Sequence, residues 1–469
     1  MSFRVERDSL GERQVPAEVY YGIQSLRATE NYPISGQRLH PYMNRAAAYV
    51  KKAAALTNMA LEALDERLGQ AIVAAADEVL AGRWQDQFVV DAFMSGAGVS
   101  YHMNVNEVLA NRAIELLGGQ KGDYSLIHPN DHVNLGQSTN DVFPTAARLA
   151  ALFLISELLP VIEEAERAFR EKADQFDAII KSGRTHMQDA VPIRLGQEFG
   201  AYATTIARNG DRIRKAAESL HELNLGGTAV GTGLNAHPRY REKVVTQLSQ
   251  LTGLPLCSAP DLIETTQNPD ALAEVSSTLR LLAANLLKIS NDLMLMSSGP
   301  RTGLAEIHLP ALQPGSSIMP GKVNPVMLEM LNMVCYQIMG NDLVVAMACQ
   351  GGQQELNVYM PVMTHNLLQS LEIMKNALKV FVHRCLKGIE ADEERCRHFF
   401  EESVGLATLL SPYVGYAKAA EIAQEALVKG KGVRLVIMEK GLLTPQQLEE
   451  LFSPQRVTNP SRPQRQAGN

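Results

Sequence analysis

Residues 315–325 read GSSIMPGKVNP and carry two adjacent hydroxyls, Ser316 and Ser317, a cation, Lys322, and an amide, Asn324. Pro and Gly at that density predict a loop, and long helix-like segments lie on both sides. A polar loop set into a helical scaffold is a common place for chemistry. These parts suit removal of a proton next to a carboxylate. Lys322 can hold an anionic group and Asn324 can donate to it. A serine hydroxyl is a poor base in water. To act as one it needs backbone N–H groups and a nearby cation to stabilise its oxyanion.

Four further polar stretches interrupt the helical pattern. GQSTNDVFPTA places Ser138, Thr139, Asn140 and Asp141 in a row. Such side chains can surround a carboxylate or an amine, and they are equally ordinary helix N-cap chemistry. Both roles can coexist, because a helix N-terminus attracts anions. SGRTHMQDAVP carries Thr185 and His186 beside Arg184. GGTAVGTGLNA, from Gly226 to Ala236, lacks the preceding strand and the spacing of a nucleotide fingerprint. It predicts a tight turn that brings backbone close to a neighbouring subunit rather than a cofactor site. GAGVSYHMNVNEV, from Gly96 to Val108, places Val99, Tyr101 and His102 at the start of a predicted helix.

The GSSxMPxKxNP loop resembles the signature of the aspartase/fumarase superfamily, and the similarity extends over nearly the whole chain. Val326-Met327-Leu328-Glu329 and the N-terminal TENYPI resemble the aspartase branch more than the fumarase branch. The resemblance implies an all-α, three-domain fold whose central long-helix bundle forms the core of a homotetramer. It implies active sites assembled from three chains. It implies a carbon–nitrogen lyase that eliminates ammonia from L-aspartate. In that reading Ser316 removes the β-proton, and Lys322, Asn324 and Thr185 hold the α-carboxylate. Asn140 and His186 face the leaving amine, while Ser138, Thr139 and Ser317 stabilise charge on the β-substituent. The resemblance also pairs His186 with Glu329, which would fix the imidazole tautomer. It implies no metal and no organic cofactor.

One stretch departs from the family. Aspartases and fumarases usually have Thr where this chain has Val99, and Asn where it has His102. A missing hydroxyl removes one donor to a carboxylate, at a cost of about 1.5–3 kcal/mol. Two readings follow. The changes lie behind the pocket and His102 replaces the Asn hydrogen bonds, or the pocket for the β-group has been rebuilt. A rebuilt pocket points to an ergothionase-like lyase releasing trimethylamine, with Tyr101 facing the quaternary ammonium. Fumarate hydration is a further alternative. A non-catalytic, structural relative is the reading from another class, and retention of Ser316, Lys322, Asn324, His186, Ser138 and Thr139 together argues against it.

The elements that must position these residues are long helices. The chain has 469 residues, 46% hydrophobic and only 6% aromatic, a balance that favours helix. Helices are expected at Met43–Leu64, from Leu68 to about Gly82, and after Met94. Long ones follow at 146–176, 194–223, 240–251, 270–298, 326–348 and 363–386. The segment 279–296 is apolar nearly all round, so it is expected to be buried on every side in an oligomer core. Val15-Pro16 and Tyr20-Tyr21-Gly22 read as turns. Three domains are expected, over 1–140, 141–395 and 396–469. The last begins in a linker-like stretch around Glu394, Glu401 and Glu402 and ends in a disordered tail from about residue 453. Net charge is −7, with no basic footprint for nucleic acid or membrane. Residues 1–16 lack the apolar region of a signal peptide. Five scattered cysteines have no metal spacing and read as reduced thiols. A cytoplasmic enzyme acting on a small molecule is expected.

Overall fold

A computed structural model of the protein describes residues 2–459; residues 460–469, most of the expected tail, lie outside the described residues. The N-terminus is a hairpin of β1 (Phe3–Asp8) and β2 (Gly11–Pro16), so Val15-Pro16 is strand rather than turn. Helices α1 (Ile23–Asn31), α2 (Pro41–Ala60), α3 (Glu66–Leu80) and α4 (Val99–Leu116) follow. Helix α5 (Thr139–Gln175) leads to a second hairpin, β3 (Ile180–Thr185) and β4 (Gln188–Arg194). Then come α6 (Leu195–Glu218), the short β5 (Glu222–Leu223), α7 (Tyr240–Thr252), β6 (Cys257–Ser258) and α8 (Leu262–Gln267). Helix α9 (Asp270–Met296), β7 (Ile307–His308), α10 (Val326–Gln350) and α11 (Met360–Arg384) complete the long elements. The strands form four two-stranded pairs, so helix dominates as the sequence predicts.

The C-terminal part holds β8 (Glu390–Ala391), α12 (Glu393–Glu402), α13 (Ser411–Val414), α14 (Tyr416–Lys429), α15 (Val433–Glu439), α16 (Pro445–Leu451) and α17 (Pro454–Val457). The stretch expected as a linker is therefore helix α12. Asp392 caps it by accepting from Arg395 N, a start signal that the run of glutamates obscures. Phe400, Leu406, Leu410, Ile422, Val433, Val436 and Leu448 close a local core.

The chain forms two compact units. The first comprises Met1–Pro160, Asn209–Ala283 and Cys335–Lys375; the second comprises Val161–Arg208, Ala284–Val334 and Asn376–Asn469. In the first, α2 buries Met43, Ala47, Lys51, Ala54 and Asn58 along one stripe, the 3–4 residue spacing of a helix face. In the second, Phe169, Phe176, Phe199, Tyr202 and Phe381 pack ring against ring in tilted and edge-to-face pairs.

Two apolar helices have faces that one chain leaves open. Helix α9 buries Leu279, Leu282, Leu286, Ile289 and Leu293, while Leu281 and Leu295 on its other side are exposed within one chain. Helix α10 also has an open apolar face. Met333 is 64% exposed, Tyr336 59%, Leu343 61% and Met347 58%. Helix α5 is the one helix among the described residues long and apolar enough to cross a membrane, and 67% of its apolar window is buried inside the protein.

Candidate active site

The 315–325 loop is closed at its neck. Gly315 N donates to Lys322 O at 2.7 Å, and Asn324 Nδ2 donates to Gly315 O at 2.8 Å. A Cβ on Gly315 would lie 2.7 Å from Lys322 O, so glycine is what lets the two strands of the neck approach. Within the loop, Ser316 Oγ accepts from Ile318 N at 3.2 Å and Met319 N at 2.9 Å. Two backbone N–H groups on one hydroxyl oxygen match the donor arrangement that a serine base would need. Ser317, Lys322 and Glu329 are exposed and Asn324 is half-buried.

Thr185 and His186 stand on the β3–β4 hairpin. Thr185 pairs with Gln188, leaving His186 and Met187 as a two-residue turn with φ of 54° and 61°. That is the type I′ geometry that fits strand twist. Neither residue is the Asn-Gly pair usual there, so the sequence does not announce the hairpin. The hairpin is anchored from within the second unit. The buried Glu306 carboxylate takes Lys181 and Arg184, each at 2.8 Å. Lys181 also reaches Glu198 at 3.1 Å. Burial works against the Lys181 charge, but the two carboxylates outweigh it and hold its pKa above the usual value. Among the described residues, no hydrogen bond or ion pair joins His186 to Glu329 or joins the hairpin tip to the 315–325 loop.

In the first unit, Ser138 opens α5 with a reciprocal cap. Its Oγ accepts from Asn140 N at 3.3 Å, and Asp141 Oδ1 accepts from Ser138 N at 2.9 Å. The other Asp141 oxygen accepts from Gly226 N and Thr228 N, both at 3.0 Å. Burial pushes the Asp141 carboxyl up to about 6, against the pull of these backbone donors. Asn140 Nδ2 donates to Ala229 O at 2.7 Å, which leaves its Oδ1 as the open end. The glycine-rich turn therefore staples the Ser138–Asp141 segment. Its glycines make room for backbone of the same chain: a Cβ on Gly231 would lie 2.5 Å from Ile263 Cα.

Helix α4 separates the three residues of the divergent stretch. Val99, at its first turn, is 43% exposed. Tyr101 lies about 200° further round the helix and is 4% exposed. Its hydroxyl donates to Asn44 Oδ1 at 3.0 Å and its ring packs edge-on against Phe143. Tyr101 is therefore packed on the side of the helix away from Val99, contrary to the expectation of a substrate contact beside it. His102 returns close to the Val99 face but is also buried. It sits behind Thr139, with Nδ1 2.7 Å from Thr139 Oγ1 and Nε2 2.6 Å from Lys51 Nζ. It touches a candidate binding residue rather than open space. Lys51 also reaches Asn134 Oδ1 and Gln137 Oε1, each at 2.9 Å. Burial pushes the pKa of both Lys51 and His102 down, and the Lys51 charge adds to the effect on His102.

Lys51 was not singled out from sequence. Its signal is its place on the apolar stripe of α2, whereas Lys52 next to it falls off the stripe. Glu355, Asn357 and Tyr359 form the turn that opens α11. Asn357 donates to Ala348 O and Cys349 O, while Glu355 and Tyr359 are exposed.

A family model described as "Lyase" matches residues 11–340, and one described as "Fumarase C C-terminus" matches residues 406–459. The chain is 53% identical over 458 residues to an aspartate ammonia-lyase of Bacillus subtilis, covering 98% of this chain and 96% of that protein. It is 45% identical to the aspartate ammonia-lyase of Escherichia coli K12, covering 98% and 97%. A Brucella melitensis structure titled fumarate lyase:delta crystallin, bound to cobalt, superposes with a TM-score of 0.95 at 50% identity, covering 98% of this chain and 100% of that one. With two family models spanning most of its length and relatives this similar from end to end, the chain belongs to the aspartase/fumarase superfamily.

Proposed function

We propose that the protein is an ammonia-lyase that eliminates ammonia from L-aspartate, in the anti sense, to give fumarate. The observation that carries the chemistry is Ser316 Oγ held by two backbone N–H groups. Each hydrogen bond to a developing alkoxide is worth about 1.5–3 kcal/mol, or about one to two units in the acidity of the hydroxyl. The end-to-end similarity to aspartate ammonia-lyases supports aspartate over other substrates.

In this reading Ser316 takes the proton from the β-carbon. Lys322, the second N–H of Asn324, and Thr185 hold the α-carboxylate. Asn140 turns its Oδ1 to the ammonium, an orientation supported by the bond from Nδ2 to Ala229 O. His186 takes its place beside the leaving amine. Ser138, Thr139 and Ser317 donate to the β-carboxylate as it becomes an enediolate, with the positive end of α5 behind them. Closure of the 315–325 loop excludes water before the proton moves.

The same reading includes a homotetramer whose sites each draw on three chains, supported by the open apolar face of α10. It includes the three-domain division at 140/141 and 395/396, whose last part is supported by the local core around Leu406, Ile422 and Val436. It also includes a cytoplasmic location, supported by five free cysteines. The experiment is to follow fumarate absorbance with saturating L-aspartate and, in parallel, with L-malate. Fumarate from aspartate alone is expected. Fumarate from malate alone would replace the reading with hydration.

A further inference from the structure

We propose that His102 is a positioning residue that commits the Thr139 hydroxyl to donate its proton toward the substrate. The inference rests on Thr139 being a substrate contact, as above. The argument follows the polarity of one buried chain of hydrogen bonds. Asn134 Nδ2 donates to Gln137 O at 3.1 Å. Gln137 Nε2 donates to Val133 O at 3.1 Å and to Leu135 O at 3.3 Å. Both amides thus have their N–H₂ ends occupied, and both turn oxygen toward Lys51. Two of the Lys51 protons go to those oxygens. Burial opposes the Lys51 charge, but two amide oxygens and the nearby Asp141 carboxylate favour it, and the ammonium form directs its third proton at His102 Nε2, 2.6 Å away.

With Nε2 accepting, a neutral imidazole must carry its proton on Nδ1. Nδ1 then donates to Thr139 Oγ1 across 2.7 Å. Thr139 Oγ1 accepts that hydrogen bond and keeps its own proton, which is free to point outward. The chain runs Lys51 to His102 to Thr139 to anion, every link a donor in the same direction. Burial and the Lys51 charge keep the imidazole neutral, which this polarity requires. Reversal of the chain would turn lone pairs of Thr139 toward a carboxylate and repel it.

Side-chain geometry separates this role from simple satisfaction of a buried lysine. Asparagine carries its amide at the position of Nδ1, so His102→Asn keeps a donor to Thr139 but loses the reach to Lys51. Glutamine carries its amide one bond further, at the position of Nε2, so His102→Gln keeps the acceptor for Lys51 but not the donor to Thr139. His102→Leu keeps neither. The expected result is that His102→Asn holds KM for aspartate within about threefold. His102→Gln and His102→Leu raise KM by about tenfold or more with smaller changes in kcat. In a Thr139→Val background, His102→Leu should add less than about twofold. Nitrogen NMR of the ¹⁵N-histidine-labelled enzyme, assigned by the signals lost in His102→Asn, should show a neutral ring protonated at Nδ1. Rescue by glutamine rather than asparagine, or a ring protonated at Nε2, would overturn the proposal. Wild-type protein that makes no fumarate from aspartate would remove the lyase reading. The tautomer measurement would still test the hydrogen-bond chain.

Discussion

Ser316, the proposed base, is held by its own backbone in the way a weak base would need. Its two N–H partners come from its own loop, two and three residues on, so the arrangement travels with the loop when it moves. Ser316→Ala should lower kcat by at least about a thousandfold, in the range of losing a general base and its donors together. The side chain is small and only half-buried, so the melting temperature should move by less than about 2 °C. Retained turnover would remove the base assignment. The hydroxyls of 138, 139, 316 and 317 were legible because polar residues broke long helical periods there. Lys51 and its amide partners were not, because each is unremarkable alone and only packing shows that they meet. Tyr101 was misplaced for a similar reason: neighbours in sequence on a helix point in different directions, and the first turn of α4 divides Val99 from Tyr101.

At the scale of elements, much depends on ion pairs that hold short structures between long helices. Glu306 carries two buried cations at the base of the β3–β4 hairpin. Glu306→Gln leaves Lys181 and Arg184 with a neutral partner and should cost about 3–5 kcal/mol, read as a lower melting temperature and faster amide exchange along residues 180–194. Helices α3 and α4 are joined by the Arg112 fork on Glu78, with both contacts at 2.7 Å. That fork, chiefly, holds the Glu78 carboxyl below its usual range. A depressed carboxyl stabilises the fold above its unfolded pKa and loses that contribution as pH falls through its folded value. Acid unfolding should therefore be shallower in Glu78→Gln, which lacks this proton uptake, although that variant is less stable at pH 7. Most of the long helices were legible to within about five residues because their apolar periods run for many turns, but α5 begins at Thr139 rather than the expected 146, because its first turn is the polar Ser138–Asp141 segment. The hairpins were not. Their strands are short, β3 and β4 carry no clear alternation, and the His186-Met187 turn lacks the glycine that marks such turns.

For the whole molecule, the informative surface is the open face of α10. Met333, Tyr336, Leu343 and Met347 recur at helical spacing and stay uncovered within one chain. Apolar content drew attention to α9, whose Leu281 and Leu295 are also open within one chain, but it did not single out α10, since apolar content alone does not say which face the rest of the chain covers. A Met333→Glu, Leu343→Glu double variant should leave the secondary structure of the chain unchanged. It should also reduce the assembly to smaller species in sedimentation and cut turnover by more than about a hundredfold. Full activity in a monomer would mean that one chain holds a complete site.

A loop closed at its neck can be cut without releasing either end. Lys322 and Val323 are exposed at the far side of that neck, and β7 pairs with β8 across the cut in sequence, so the pieces remain joined after trypsin acts there. The nicked protein should keep its native mass in solution and its circular dichroism, yet fail to turn over. Saturating aspartate, by drawing the loop with Lys322 down onto the bound substrate, should slow the nick severalfold. Protease resistance then becomes a gauge of loop closure that does not depend on observing product.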